Sequence, residues 1–300
     1  MTAFAIALVV ISALLHAGWN LVGKSSSSAG MAFSLSVSVI ASVVLAPYIL
    51  WFLSTLGWHT LPMAFWGLVV ASGACQMVYM AGLMFAYRHA DIGVVYPIAR
   101  GVPILLVGAG AFALGQATTG LQWLGFSAIT LGCLLVPLKH FREFNLSAYA
   151  NLGIVWAVVA ALGTAGYSII DNQALIVMGD VADPTYSVKQ QVLFYIGIQF
   201  WAMALPGLIY FLLTGQIAKL KVAWQCRYKA GLTALMMAST YSLVLVAMTM
   251  TDNVSLVVAL RQISIVFGLL LGHWFLKEPW FHTRSVGVAV ILAGLILALV

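Results

Sequence analysis

Asp91-Ile-Gly-Val-Val-Tyr-Pro-Ile-Ala-Arg100 and, 161 residues further on, Asp252-Asn-Val-Ser-Leu-Val-Val-Ala-Leu-Arg261 carry one polar signature inside apolar sequence. In each, an Asp opens a hydrophobic span and an Arg follows nine residues later, deep within it. A charge at bilayer depth is costly, so its appearance twice at one spacing points to a duplicated membrane unit.

Composition supports a membrane reading. The chain of 300 residues is 63% hydrophobic and only 7% charged, with a mean hydropathy of +1.07. A soluble globular domain does not have this balance. Apolar runs fall at 2–22, 30–53, 64–87, 91–114, 120–138, 150–171, 188–213, 228–250, 253–275 and 283–300. Each is close to the twenty residues a helix needs to cross the hydrocarbon, which favours a helical bundle over a β-barrel. The fold class expected is an all-α integral membrane protein of ten transmembrane helices. The segment from Asn172 to Ser187, with Gly179, Asp180, Asp183 and Pro184, reads as a loop after span 6. Cys75, Cys133 and Cys226 are odd in number and lack metal-type spacing, so they read as small core residues.

The duplication extends beyond the opening pair. Span 1 carries Ala17-Gly18-Trp19-Asn20 and span 6 carries Ala165-Gly166-Tyr167-Ser168. Span 5 carries Gly125 and Gly132, and span 10 carries Gly287 and Gly294, again seven apart. Residues 1–147 and 148–300 are therefore expected to be two five-helix repeats. An odd number of spans per unit inverts the second copy relative to the first.

Charge sets an orientation. Lys24, Arg88, Lys139, Arg142, Lys219, Lys221, Arg227, Lys229, Lys277 and Arg284 fall in the loops after spans 1, 3, 5, 7 and 9, against Lys189 on the other side. Those loops are expected in the cytoplasm and both termini outside, in a bacterial inner membrane.

Arg100 and Arg261 each lie about 12–14 Å along their spans at 1.5 Å per residue, too deep to reach water easily. They must face a wet cavity, where they would hold an anionic group, or tie to an Asp or to backbone carbonyls and fix helix packing. Pro97 and Pro103 flank Arg100 and are expected to loosen that helix; span 9 has no proline. Asp91 and Asp252, at helix starts, read as N-caps. On span 1, Ser12, His16 and Asn20 share a face, with Trp19 beside them. His16 could bind substrate, take a proton or only pack. Thr164, Tyr167 and Asp171 form a shorter stripe on span 6; Asp171, near the helix end, either meets headgroups or the loop or, like His16, could serve in a proton relay. Gln76, Tyr79, Met80, Leu83 and Tyr87 on span 3, and Met237, Tyr241 and Met248 on span 8, read as core packing or as the wall of a deformable pocket. Tyr96 and Gln262, near the two arginines, join that wall. Gly268 and Gly272 form a small-xxx-small helix contact. No Walker loop, metal cluster or local nucleophile motif is present in the sequence, so no cofactor, no metal and no enzymatic activity are expected.

Ten spans, the five-plus-five pattern and the length resemble the drug/metabolite transporter superfamily, in particular its EamA-type members. The local matches are Leu15-His16-Ala17-Gly18-Trp19-Asn20, then Ala86-Tyr87-Arg88-His89-Ala90-Asp91 leading into Tyr96-Pro97 and Arg100, and Leu260-Arg261 followed by Leu271-Gly272 and Lys277-Glu278. The resemblance implies a basket-like bundle whose spans 1, 3, 4, 6, 8 and 9 line a central cavity, with spans 5 and 10 away from it. It implies secondary transport of a small metabolite. The expected substrate is zwitterionic or anionic, amino-acid-like or phosphonate-like. Arg100 and Arg261 would be its anion contacts, with His16, Trp19, Asn20, Tyr79, Tyr96, Tyr241 and Gln262 around it. The alternative is a proton-coupled exporter of cationic or aromatic compounds with structural arginines; an intramembrane enzyme is a remote third reading. Expected partners are the small-molecule substrate and the lipid bilayer, not nucleic acid, and both a monomer and a homodimer stay open.

Overall fold

The computed structural model describes residues 1–115, 117–141, 151–182, 185–251 and 254–299. The helices, in chain order, are α1 (Ala3–Ser25), α2 (Met31–Leu56), α3 (Met63–His89), α4 (Ile92–Ala113), α5 (Gly120–Leu135), α6 (Leu152–Ala182), α7 (Val188–Leu213), α8 (Ala218–Gln225), α9 (Arg227–Met248), α10 (Val254–Leu260), α11 (Ile263–Leu276) and α12 (His282–Leu299). No strand occurs among the described residues. Nine of these segments are long and apolar enough to cross a membrane, with α10 and α11 counted as one, and α5 is a shorter apolar helix. Their outward faces carry large exposed side chains such as Val44, Val70, Leu205 and Ile296. That surface suits lipid and not water, and the protein is an all-α membrane protein.

The helices begin where cap chemistry allows. Thr119 with Gln122, and Ser187 with Gln190, form capping boxes at the starts of α5 and α7, which satisfy amides that have no partner within the helix. α4 starts differently. The Asp91 side chain makes no cap hydrogen bond. It is largely exposed, 3.9 Å from Lys24. The Ile92 N–H donates instead to Glu278 Oε1 at 3.1 Å, and Arg284 stands 3.6 Å from the other carboxylate oxygen. The cap therefore comes from the α11–α12 connection and corrects the reading of Asp91. The expected cap at Asp252, the boundary at 147/148, Arg142, Asp183 and Pro184 lie outside the described residues.

The segment after Asp171 is also corrected. α6 runs to Ala182, with Ala174, Leu175, Met178 and Ala182 buried. Their three-to-four-residue spacing is that of a helix face, which overrides the single Gly179 and Asp180. Asp171 is thus eleven residues from the helix end, about 16 Å at 1.5 Å per residue, and not near a headgroup region.

Pairs of helices meet through glycine. A Cβ at Gly125 would lie 2.7 Å from Gly294 O, and one at Gly132 would lie 2.7 Å from Gly287 O. The four glycines therefore let the α5 and α12 backbones touch. Gly82 and Gly163 do the same for α3 and α6, where a Cβ would meet backbone atoms of Ala160 and Tyr79 at 2.8 and 2.6 Å. α6 packs on α3 and α4, and α1 packs on α9 and α11; α2 packs on α9, and α3 on α7; α5 pairs with α12, and α2 with α7.

Loop contacts collect at one end of the bundle. Lys24 Nζ donates to the Tyr87 and Ala90 carbonyls at 3.0 and 2.8 Å, a cation closing a helix C-terminus. Thr283 donates to the Leu138 carbonyl. Arg88 lines a crevice with Gln216 and Lys219. The connections after spans 1, 3, 5, 7 and 9 thus share that end. Between α7 and α9, α8 is a helix where only a loop was expected. It presents Lys219, Lys221 and the exposed Trp224.

Thermal unfolding of the purified protein in detergent tests two of these contacts. Gly125→Ala is expected to lose about 1–3 kcal/mol by overpacking. Gly67→Ala, where a Cβ meets nothing within 4 Å, should lose nothing. Glu278→Ala is expected to cost about 1–3 kcal/mol by stranding the Ile92 N–H, whereas Asp91→Ala stays within about 0.5 kcal/mol of the parent.

Candidate functional site

Span 9 is interrupted at its arginine. The Gln262 N–H bonds Ala259 O at 2.9 Å, Ser264 N–H bonds Arg261 O at 3.1 Å and Ile265 N–H bonds Gln262 O at 2.8 Å. These three-residue steps are the tighter 3-10 geometry, which in mid-helix marks strain or a hinge. Val258 O loses its usual backbone donor and is served by the Gln262 side-chain Nε2 at 2.8 Å. Gln262 therefore stabilises the break from within and does not line the cavity. In contrast, α4 continues unbroken through Pro97 and Pro103. The break sits in the proline-free span, where a side-chain amide can replace the missing bond.

Arg100 meets this break. Its Nη2 donates to the Arg261 carbonyl at 3.4 Å, and its Nε has no hydrogen-bond partner. Both arginines are 2% exposed. Among the described residues neither is within 4.0 Å of a carboxylate. Arg261 lines a cavity and its guanidinium carbon lies 5.8 Å from the Tyr241 ring centroid; Arg100 does not line it.

The cavity is bounded by an arc of rings. His16 and Trp19 meet edge-on at 4.9 Å, Trp19 and Tyr79 at 6.4 Å, Tyr79 and Tyr167 at 5.8 Å, and Tyr167 and Tyr241 at 5.7 Å. The arc crosses α1, α3, α6 and α9 and ends on Arg261. Edge-to-face rings at these distances attract one another beyond their area burial. α7 completes the wall with Ile196, Gln199, Phe200 and Met203. The enclosed space is about 40 Å³, room for roughly three waters, far below the several hundred Å³ of a metabolite site.

Of the other expected site residues, Asn20 is committed elsewhere. Its Nδ2 donates to His16 O at 2.8 Å and its Oδ1 accepts from Tyr87 at 2.8 Å. Tyr96 stacks on His16 at 6.1 Å. Its ring lies over Gly268, where a Cβ would come within 2.6 Å of it. His16 Nδ1 accepts from the Trp19 indole at 3.3 Å, and its Nε2 has no partner.

Sequence reasoning placed no site on α7 and kept Asp171 only as one of two residues, with His16, that could relay a proton. Asp171 is fully buried. Its Oδ1 accepts from Tyr195 at 2.7 Å, and also from Ser72 and Gln199; its Oδ2 accepts from Tyr241. Gln199 Nε2 also reaches Ser72 Oγ at 2.6 Å. Four helices, α3, α6, α7 and α9, thus converge on one carboxylate. The overlooked sign was the stripe Gln191, Tyr195 and Gln199, four residues apart in apolar sequence and all buried. Among the described residues no group of three His, Cys, Asp or Glu side chains is placed to hold a metal ion.

No family model and no curated protein matches the chain. A protein of known crystal structure is similar over 98% of this chain and 96% of its own, with a TM-score of 0.62 and 16% identity. At that identity the likeness shows a shared fold alone.

Removing one donor from Asp171 should be costly. Tyr195→Phe is expected to lower stability by about 1.5–3 kcal/mol, the range for a hydrogen bond to a charged group. Tyr210→Phe, on the half-exposed outer face of α7, is expected to change little in the same unfolding assay.

Proposed function

We propose that the protein is a secondary transporter of a small zwitterionic or anionic metabolite, amino-acid-like or phosphonate-like, in the manner of EamA-type drug/metabolite transporters. The observation that carries this reading is Arg261. A guanidinium stands at a helix break, faces an internal cavity and has no carboxylate in ion-pair contact among the described residues. Broken helices at membrane depth are tolerated where they line a cavity, and there they bind ions and substrates. Among the described residues two arginines, Arg261 at the cavity and Arg100 behind it, stand against one carboxylate, Asp171. An anionic group on the solute supplies the missing charge, and the aromatic and methionine wall suits an apolar remainder.

Helix packing supports two inverted five-helix repeats and ten spans. Exchange of each span with the one five places on turns the α3–α6 contact into α9–α1, α4–α6 into α11–α1, and α2–α9 into α7–α3. The α5–α12 and α2–α7 contacts map onto themselves. Such a pattern fits alternating access by rocking one repeat against the other. The charge bias supports a cytoplasmic location for the shared basic end, in a bacterial inner membrane. The aromatic arc also favours a runner-up, export of aromatic or cationic compounds, but two arginines disfavour a cation in the cavity.

A thermal-stabilisation screen of L-amino acids and 2-aminoethylphosphonate, followed by uptake into proteoliposomes, tests the reading. Arg261→Gln is expected to cut uptake of an anionic solute at least about tenfold, the equivalent of ~1.4 kcal/mol. Arg100→Gln is expected to reduce it through Arg261. Uptake at the parent rate in both variants would overturn the anion-contact role.

A further inference from the structure

We propose that Asp171 is a proton-binding site connected to the cavity through Tyr241, and that a proton travels in company with the anionic solute. The coupling to a solute rests on the transport reading above; the proton site does not. Ser72, Tyr195, Gln199 and Tyr241 can all donate to the carboxylate together, which describes its ionised state. Of the four, Tyr241 is the one hydroxyl bonded to Oδ2, and with Gln199 it lines the cavity. It therefore stands between the buried carboxylate and any water there.

The proton step needs no other reactant. A proton borne by cavity water bonds to Tyr241 Oη as the tyrosine's own O–H bond breaks and a new O–H bond forms at Asp171 Oδ2. Tyr241 ends neutral, Asp171 becomes a neutral acid, and the hydrogen bond between them reverses, so that Oδ2–H donates to Oη. The Tyr241 O–H is then free to turn to the cavity and donate to a solute oxygen. The carboxylate's charge is lost at the same moment, while Arg261 remains over the face of the Tyr241 ring. Loss of a negative charge beside a bound anion is worth on the order of tenfold in affinity. Proton and anion therefore favour each other's binding, reciprocally.

The charged and titratable groups around Asp171 are few. α3 brings Cys75 and Tyr79, α7 brings Tyr195, α9 brings Tyr241 and the break in span 9 brings Arg261. On its own helix Tyr167 lies one turn away. α4 brings Arg100 and Tyr96, which face the arginine pair and His16. Two of the other carboxylates are at one end of the bundle, Asp91 beside Lys24 and Glu278 beside Arg284.

Infrared difference spectra of the full-length protein in lipid nanodiscs, recorded from alkaline to acid pH without added solute, test the site. The parent is expected to gain a protonated-carboxyl band that Asp171→Asn lacks and Asp171→Glu shifts. A tyrosine C–O band should move in step with it and be missing from Tyr241→Phe. Because Asp171→Glu and Tyr241→Phe assign the bands independently, the result does not depend on the folding of Asp171→Asn. A carboxyl band that none of the variants changes would overturn the proton site, and a tyrosine band that stays still would overturn the Tyr241 connection. Either failure leaves the transport reading standing. Conversely, a transport assay negative for every probe would overturn the coupling without touching the spectra.

Discussion

Two guanidinium groups buried in an apolar bundle, with no carboxylate in ion-pair contact among the described residues, constrain everything around them. Burial of an uncompensated charge is too costly to persist by accident. Much of the interior meets that cost. The Arg261 carbonyl, left with a short-range partner at the helix break, accepts from Arg100. Gln262 covers the carbonyl that the break exposes. Tyr241 offers its ring face to Arg261 and its hydroxyl to Asp171. The Asp171 carboxylate is thus held one aromatic ring away from Arg261, where it moderates the field and leaves Arg261 facing the cavity.

The rest of the bundle separates rigid contact from adjustable contact. α5 and α12 lock through four glycines, away from the cavity. Around the cavity α3 and α6 also meet through Gly82 and Gly163, and the other contacts are rings, methionines and hydrogen bonds. Rings and thioethers can slide and re-pack at little cost, and a hydrogen-bond node such as Asp171 has discrete made and broken states. A cavity with room for about three waters cannot hold a metabolite until its walls part.

Much of this architecture was legible in the sequence because hydropathy in lipid is a strong constraint. Most helices fall within a few residues of the apolar runs. Of the residues singled out beforehand, His16, Trp19, Tyr79, Tyr241 and Arg261 do line the cavity. The failures have physical causes. Glu278 caps α4 from 186 residues away, and no local pattern reveals a partner at that distance. Gly179 and Asp180 look like a loop, although burial of Leu175 and Met178 keeps α6 helical beyond them. That error moved Asp171 towards a headgroup region and hid how deeply it is buried. Prolines suggested a break beside Arg100, yet the break lies where Gln262 can replace a backbone bond. The α7 face was missed because the partner of Tyr195 and Gln199, Asp171, lies on another helix.

Cysteine accessibility separates the two arginines most directly. With Cys75, Cys133 and Cys226 replaced, Arg261→Cys and Arg100→Cys can each be exposed to a small, anionic, water-soluble thiol reagent in nanodiscs. Modification of Arg261→Cys much faster than Arg100→Cys is the expected result, since the first side chain faces the cavity and the second braces the helix break. Equal rates, or faster reaction at position 100, would contradict the assignment of Arg261 as the charge that meets the solute.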